Sequence, residues 1–421
     1  MEANSDIHGL YNLKPDERVD KLKGAGLTEQ DRAALLGGGL TMEAADRMIE
    51  NVIGFFKLPL GVATNFRVNG LDRLIPMVIE EPSVVAAASN AAGIARAHGG
   101  FIAKADPPVM IGQLQIVDTA DATESMKMVL EKKQALIKEC NALIPTLVDL
   151  GGGVRDIEAR AIDTGRGRML ILHLLVDCRD AMGANTVNTI AETMTPRFVE
   201  LTGGRARLRI ISNYAVKRIA RARGVFDRKL VGDDVIEGIL DASDFAANDV
   251  YRAVTHNKGI MNGISAVALS LSNDTRAIEA GAHAYASRSG RYAPLTEWHK
   301  DGDGNLVGEI ELPLAVATVG GAVNVNPISK IALKLLGVRT SVELAEVMAA
   351  VGLAQNFAAL RALAAEGIQK GHMKLHARDL AVSAGAKPDE VDALARKLVE
   401  TRVDFDNAKK LLEELRHKGS E

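Results

Sequence analysis

The sequence predicts an α+β fold: a large helix-rich unit, interrupted by a ferredoxin-like βαββαβ insert and followed by a helical C-terminal segment. Three observations predict it. Hydrophobic residues make up 47% of the chain and aromatics only 4%, a balance that suits close-packed helices. Residues 108–213 change between strand and helix periods in the order β-α-β-β-α-β, the split βαβ order of a ferredoxin-like sandwich. At 421 residues the chain exceeds what one core usually organises. The expected division is 1–107 for the first half of the large unit, 108–216 for the insert, 217–366 for the second half and 367–421 for the C-terminal segment.

Taken in order, residues 1–53 read as short helices, with Pro15 at a first helical position and Thr28 with Asp31 as a start signal. Val68 to Ile79 reads as extended chain broken by Asn69-Gly70. Glu81-Pro82-Ser83 then opens an alanine-rich helix that Gly99-Gly100 closes, which puts Glu81 at a helix N-terminus. In the insert, Ile111 to Val117 is the first strand and Ala120 to about Val148 is mostly helical. Val154 to Ile162 and Met169 to Val176 are strands around Thr164-Gly165-Arg166-Gly167, Thr186 to Leu201 is a helix, and Arg205 to Ile211 is the last strand. Beyond Ile219 the reading is a helix near 236–248, a glycine-punctuated segment, two helices around 274 and a strand pair near 306–318. Lys387-Pro388-Asp389-Glu390 caps one late helix and Asp404 to Lys418 makes another.

Charge and cysteine usage exclude several classes. A net charge of −3 offers no field for a phosphate backbone, and basic runs carry no interleaved aromatics, so nucleic acid is not expected. Cys140 and Cys178 alone build neither a disulfide framework nor a cysteine metal site. The N-terminus has no basic region before an apolar stretch, Met169–Val176 is too short to span a bilayer, and Leu312–Val325 is broken by Gly320-Gly321. The expected compartment is the cytoplasm, with no membrane contact.

Neither a Gly-x-Gly-x-x-Gly turn nor a Walker A pattern is present, which disfavours a Rossmann cofactor unit. The run Asp177 to Thr186 follows a strand and opens a helix, where free backbone N–H groups attract anions. Its bland alternative is that Asp180 or Asn185 only caps the helix. Thr255 to Gly263 reads as a polar, flexible string between helices that positions Lys258, against the ordinary reading of a solvated lysine. Asp274 stands where a helix cap is expected. His372 and His376 share a helical face, but no third ligand accompanies them, so no metal is expected. Covalent acyl transfer is disfavoured by the lack of a Gly-x-Ser-x-Gly elbow.

Five separated strings resemble those of the 3-hydroxy-3-methylglutaryl-CoA (HMG-CoA) reductases, and in the same order. They are Ile49 to Gly54, Glu80-Glu81-Pro82-Ser83, Asp180 to Asn185, His256-Asn257-Lys258-Gly259 and Gly371-His372-Met373. The resemblance runs from about residue 10 to 415. Pro82-Ser83 directly after Glu81 looks like the bacterial, class II type. It implies that the insert binds the nicotinamide cofactor and that the C-terminal segment is a flap.

It further implies a catalytic set of Glu81, Lys258, Asp274 and His372. Lys258 would stabilise the oxyanion of two hydride transfers and Glu81 would deliver the proton, with Asp274 as the neighbouring charge that favours its protonated form. His372 would protonate the departing thiolate. Ser83, Arg252 and Asn262 would hold the HMG moiety, and Asp180, Met182, Asn185 and Asn213 the cofactor. The implied small molecules are HMG-CoA, mevalonate, coenzyme A and NADH or NADPH. The implied assembly is a homodimer or a larger oligomer up to a hexamer.

Some NADH-preferring relatives carry an acidic residue several positions before Gly151-Gly152-Gly153. Here Leu143-Ile144-Pro145-Thr146 stands there, with Asp149 closer to the glycines. Overall similarity favours NADH. The competing readings are the same chemistry run oxidatively in mevalonate degradation, a non-catalytic acyl-CoA-binding oligomer, and a Schiff-base lyase built on Lys258.

Overall fold

The computed structural model describes residues 4–365, 377–387 and 389–418. Three short helices open the chain: α1 (Pro15–Lys21), α2 (Glu29–Gly37) and α3 (Met42–Asp46). Pro15 leads α1, and Thr28 and Asp31 exchange bonds in a capping box at α2. β1 (Leu60–Val68) and β2 (Leu71–Val78) form an antiparallel hairpin. Its turn is Asn69-Gly70, both left-handed at φ 51° and 80°, which is the two-residue geometry that asparagine and glycine favour. The extended chain therefore begins before Val68: β1 is a full strand absent from the sequence reading.

α4 (Val84–Arg96) follows, then β3 (Phe101–Ala105). The chain leaves the large sheet here and returns in β8 (Ile219–Phe226), which pairs antiparallel with β3 from Phe101↔Gly224 to Ala105↔Ala220. Between them lie β4 (Val109–Val117), α5 (Ala122–Glu131), α6 (Lys133–Ala142), α7 (Pro145–Asp149), β5 (Gly153–Thr164), β6 (Gly167–Asp177), α8 (Ala184–Thr202) and β7 (Arg205–Ser212). Their antiparallel sheet has the order β5-β6-β4-β7, the ferredoxin-like order. Its core of Met110, Leu114, Leu172, Leu174, Ile190 and Phe198 is separate from that of the large sheet. The mostly helical stretch expected over 120–148 consists of three helices, α5, α6 and α7.

The rest of the large unit contains α9 (Arg228–Val231), α10 (Asp233–Asn248), α11 (Val250–Ser270), α12 (Thr275–Ala286), β9 (Thr296–Lys300), β10 (Leu306–Pro313), α13 (Gly321–Val325), α14 (Pro327–Leu336) and α15 (Ser341–Ala365). The large sheet runs β2-β1-β3-β8-β10-β9. Two corrections arise here. The strand β10 pairs with β8 and with β9 before it, while 314–320 is irregular, so 306–318 is not a strand pair. Residues 255–263 are not a flexible string but the interior of α11, and the cause is packing. A Cβ on Gly263 would lie 3.0 Å from Gln355 Cβ and 3.1 Å from Val351 Cγ1, so this glycine lets α11 and α15 approach closely.

The helix α15 is long and apolar enough to cross a membrane by length and composition, yet 67% of its most apolar window is buried inside the fold. It is a core helix, apolar all round. Phe357 on α15 stacks on Phe226 with centroids 3.8 Å apart, and Trp298 tilts against both, in an aromatic cluster that joins α15 to the sheet. After it come a helix over 377–383 (α16), α17 (Val391–Glu400) and α18 (Phe405–Lys418), which share a small core of Ala381, Leu394, Leu398, Ala408 and Leu412. Glu390 bonds back to the Lys387 N–H, and Asp404 accepts the Asn407 N–H ahead of α18.

Candidate active site

Two turns of α11 and the chain entering α4 build the centre of the site. Lys258 and Asn262 are one turn apart on α11, and both reach one oxygen of Glu81. Lys258 Nζ lies 3.0 Å and Asn262 Nδ2 3.4 Å from Oε2. Glu81 precedes α4, whose N-cap Ser83 is held in the left-handed region at φ 73° with no capping bond from its side chain. A non-glycine residue in that conformation costs about 1–3 kcal/mol and is kept only where the surroundings fix it. The pair is open to solvent, with the Lys258 side chain 59% and the Glu81 side chain 36% exposed. An ion pair this exposed contributes ~0–1 kcal/mol to folding, so its presence is not explained by stability.

The floor of the adjoining cleft, of about 230 Å³, is apolar at Val78, Ile79 and Met261 and polar at Lys258, Glu279 and His283. His283 is held at both nitrogens, 3.1 Å from Glu279 Oε2 and 2.7 Å from the Tyr292 hydroxyl. Burial pushes the Glu279 carboxyl up, but hydrogen bonds from His283 and Ser265 outweigh it and hold the group below the usual range. The sequence reading missed this cluster, although the i,i+4 spacing of Glu279 and His283 on one helix is a visible signal.

Arg252, in the first turn of α11, is half-buried and has no ion-pair partner among the described residues. Burial pushes its guanidinium below the ordinary value. A partly desolvated, unpaired cation is a ready partner for a carboxylate. Asp274 caps α12: Oδ1 accepts the N–H groups of Arg276 and Ala277, both at 3.1 Å, and pairs with the Arg276 side chain at 3.3 Å. Among the described residues it has no bond to Glu81 or Lys258. His372 and His376 lie outside the described residues.

The second half of the site is the loop from β6 into α8. Neither Asp180 nor Asn185 caps α8. Gly183 is the N-cap, at φ 100°, with no side-chain bond, so the first N–H groups of a 19-residue helix are left uncapped. A Cβ at Gly183 would fall 2.2 Å from Cys178 Sγ, which leaves glycine alone able to stand there. Met182 is half-buried, and Asn185 and Asn213 are exposed. Asp180 faces inward: Oδ1 accepts the Ser341 N–H at 2.8 Å and so holds the start of α15. Arg218, 3% exposed, donates to the carbonyls of Ala181 and Val316, and burial holds its guanidinium down at about 10. Beside the triple glycine, Arg155 and Arg179 both pair with Asp177 Oδ2 at 3.0 Å and donate to the Gly151 carbonyl.

Burial pushes the thiols of Cys140 and Cys178 up to about 12, which removes them as nucleophiles. Among the described residues no group of three or more His, Cys, Asp and Glu could hold a metal ion.

The uncapped N-terminus of α8, an end that suits an anion, thus stands on a sheet unit whose core is separate from that of the unit carrying the Lys258–Glu81 pair. The chain belongs to the hydroxymethylglutaryl-coenzyme A reductase family, whose sequence profile matches residues 14–377. It is 56% identical to the 3-hydroxy-3-methylglutaryl-coenzyme A reductase of Archaeoglobus fulgidus, over 98% of this chain and 95% of that protein. It is similar in structure to the class II 3-hydroxy-3-methylglutaryl-CoA reductase of Streptococcus pneumoniae bound to NADPH, with TM-score 0.81 and 41% identity over 96% of this chain and 100% of that one. A second structure of the Streptococcus pneumoniae enzyme gives TM-score 0.83 and 40% identity over 97% and 99% of the two chains.

Proposed function

We propose that this chain reduces HMG-CoA to mevalonate and coenzyme A, and that the Lys258–Glu81–Asn262 cluster at the mouth of the cleft is where the oxyanion forms. The observation that carries this reading is the 3.0 Å Lys258–Glu81 contact, made by two residues 177 positions apart and too exposed to serve stability. Each of the two reductions takes one hydride from a bound reduced dinucleotide, so two are consumed for each mevalonate formed. Lys258 offers a fixed positive charge to the oxygen that becomes negative at each of them. Glu81, bonded to Lys258, is placed to pass a proton to that oxygen, and Asn262 orients its carboxyl. Ser83, beside Glu81, and Arg252 hold the HMG moiety, with Arg252 taking its carboxylate.

Asp274 keeps its place in the catalytic set, as the charge at the head of α12. His372 protonates the thiolate that leaves after the first reduction, so the loss of His372 impairs thioester reduction more than aldehyde reduction. The proposed units are 1–107 with 217–366 for the substrate, 108–216 for the cofactor and 367–421 for a flap that closes over both.

The uncapped N–H groups of α8, with Met182, Asn185 and Asn213, suit the dinucleotide, and Asp180 contributes through the loop it anchors. Arg155 and Arg179 stand at the Gly151 turn, near where an acidic residue would have favoured NADH. We therefore place NADPH ahead of NADH, since guanidinium groups suit a 2′-phosphate. The exposed Ile49, Ile53, Phe56, Phe245 and Tyr251 support a homodimer as the working unit. Two free, buried thiols suit the cytoplasm.

The test is cofactor oxidation by purified protein with HMG-CoA, run in parallel with NADH and NADPH, with mevalonate identified as product. Turnover with neither nucleotide would end this reading.

A further inference from the structure

We infer that Asn273 is a positioning residue: through the strap 314–319, buried from Leu314 to Thr318, it fixes the loop that begins α8 against the turn that carries Asp274. The inference rests on the functional reading above.

The strap leaves β10 at Leu314 and crosses the interior between the two halves of the site, with Leu314, Ala315, Val316, Ala317 and Thr318 all buried. Its successive backbone groups are divided between those halves. The Val316 carbonyl accepts from the buried Arg218, whose other terminal nitrogen holds the Ala181 carbonyl at 3.3 Å. Both backbone groups of Ala317 belong to Asn273: its N–H reaches Asn273 Oδ1 at 2.7 Å, and its carbonyl accepts Asn273 Nδ2 at 3.1 Å. The next two N–H groups, of Thr318 and Val319, turn back to the Asp180 carbonyl at 3.0 and 3.3 Å.

Asn273 is itself held in place. Ser272 is left-handed at φ 52°, and its hydroxyl meets that of Ser329 at 2.6 Å, so the chain turns sharply out of α11 and aims Asn273 at the strap. Lys258 and Asp274 thus belong to a frame, α11 and its following turn, whose side-chain hydrogen bonds to the strap, among the described residues, come from this amide. A hydride must cross between the two frames in each reduction. A displacement of about 1 Å in such an arrangement can cost on the order of 100-fold in rate.

The experiment compares wild type with Asn273→Ala, which removes both bonds, and Asn273→Gln, which keeps the amide but displaces it. Hydrogen exchange is followed by mass spectrometry on full-length protein without substrate, and kcat and KM are measured with HMG-CoA and with mevaldehyde. The inference expects Asn273→Ala to speed exchange in peptides covering 314–319 and 180–186 together, with peptides from the middle of α11 unchanged. It expects kcat to fall roughly 10- to 100-fold in both reductions while KM for HMG-CoA stays within about threefold. Asn273→Gln should fall between, and it decides the matter alone if Asn273→Ala does not fold.

Faster exchange confined to 314–319 would overturn the inference, as would a loss expressed only in KM. So would wild-type kinetics in a folded variant. Wild-type protein that oxidises neither nucleotide with HMG-CoA would instead remove the activity itself, and this inference with it.

Discussion

Acid should weaken this protein through one histidine two positions before Lys258. His256 is 1% exposed, and its Nε2 lies 2.6 Å from Thr296 Oγ1. The Thr296 hydroxyl proton is already given to Asn356 Oδ1 at 2.9 Å, so Thr296 must accept from His256, which places the imidazole proton on Nε2. The other nitrogen, Nδ1, is buried and has no partner among the described residues. Protonating it would create a buried charge with nothing to receive its N–H, facing the positive field of Arg252. Burial, then Arg252, holds the group down at about 3 against its ordinary 6.5.

The unfolded chain therefore binds the proton more readily. Stability from this group is complete above pH 6.5 and is lost as pH falls from there toward 3. At ~1.36 kcal/mol per pH unit, the loss between pH 7 and pH 5 is about 2 kcal/mol. The assay is urea unfolding of wild type and His256→Gln at both pH values. Glutamine stays neutral, so the variant is the weaker protein at pH 7 and the difference between the two narrows by about 2 kcal/mol at pH 5. A difference that stays constant to within about 0.5 kcal/mol would refute the reasoning.

Four further outcomes follow from the site. Lys258→Met should lower kcat for both thioester and mevaldehyde at least ~100-fold while the melting temperature moves by less than about 2 °C, because the pair it breaks is exposed; kinetics beside a thermal melt check this. Arg252→Ala should raise KM for HMG-CoA roughly 10- to 100-fold, the worth of a charge-assisted hydrogen bond, with less effect on the KM for cofactor. Gly183→Ala, which drives a Cβ into Cys178 Sγ, should weaken nucleotide affinity measured by calorimetry and cost about 1–3 kcal/mol in stability. His372→Ala should suppress HMG-CoA reduction but spare mevaldehyde reduction; equal losses in the two assays would remove the thiolate-protonation role.

Legibility in the sequence followed the strength of local periodicity. The insert could be read because Ile111 to Val117 alternates, Met169 to Val176 is a short apolar run and the turn at Thr164 to Gly167 carries glycine. The alanine-rich α4 was equally plain. By contrast, α15 is apolar on every side and offers no helical period, and Gly259 and Gly263 read as punctuation when the glycine at 263 serves contact with α15. That error turned the middle of α11 into a loop. Lys258 was found despite it, through the resemblance of its neighbouring residues to a family motif. Asp274 was legible as both a cap and a catalytic group, and the cap is the bond that is made. The strap 314–319 has no period at all, since its order comes from side chains more than 40 residues away.

The route of the chain into and out of the ferredoxin-like insert also bears on how such a molecule can arise. Asp106 N–H and the Ile219 carbonyl are 2.8 Å apart, so the insert departs and returns across a single ladder bond. The pairing of β3 with β8 ends at Ala105↔Ala220 beside that bond, so a short turn in place of the insert would join the two strands as an ordinary hairpin. In assembly terms the ferredoxin-like unit is a module spliced between two neighbouring antiparallel strands, which a sheet could acquire, lose or exchange for another without rethreading its remaining strands.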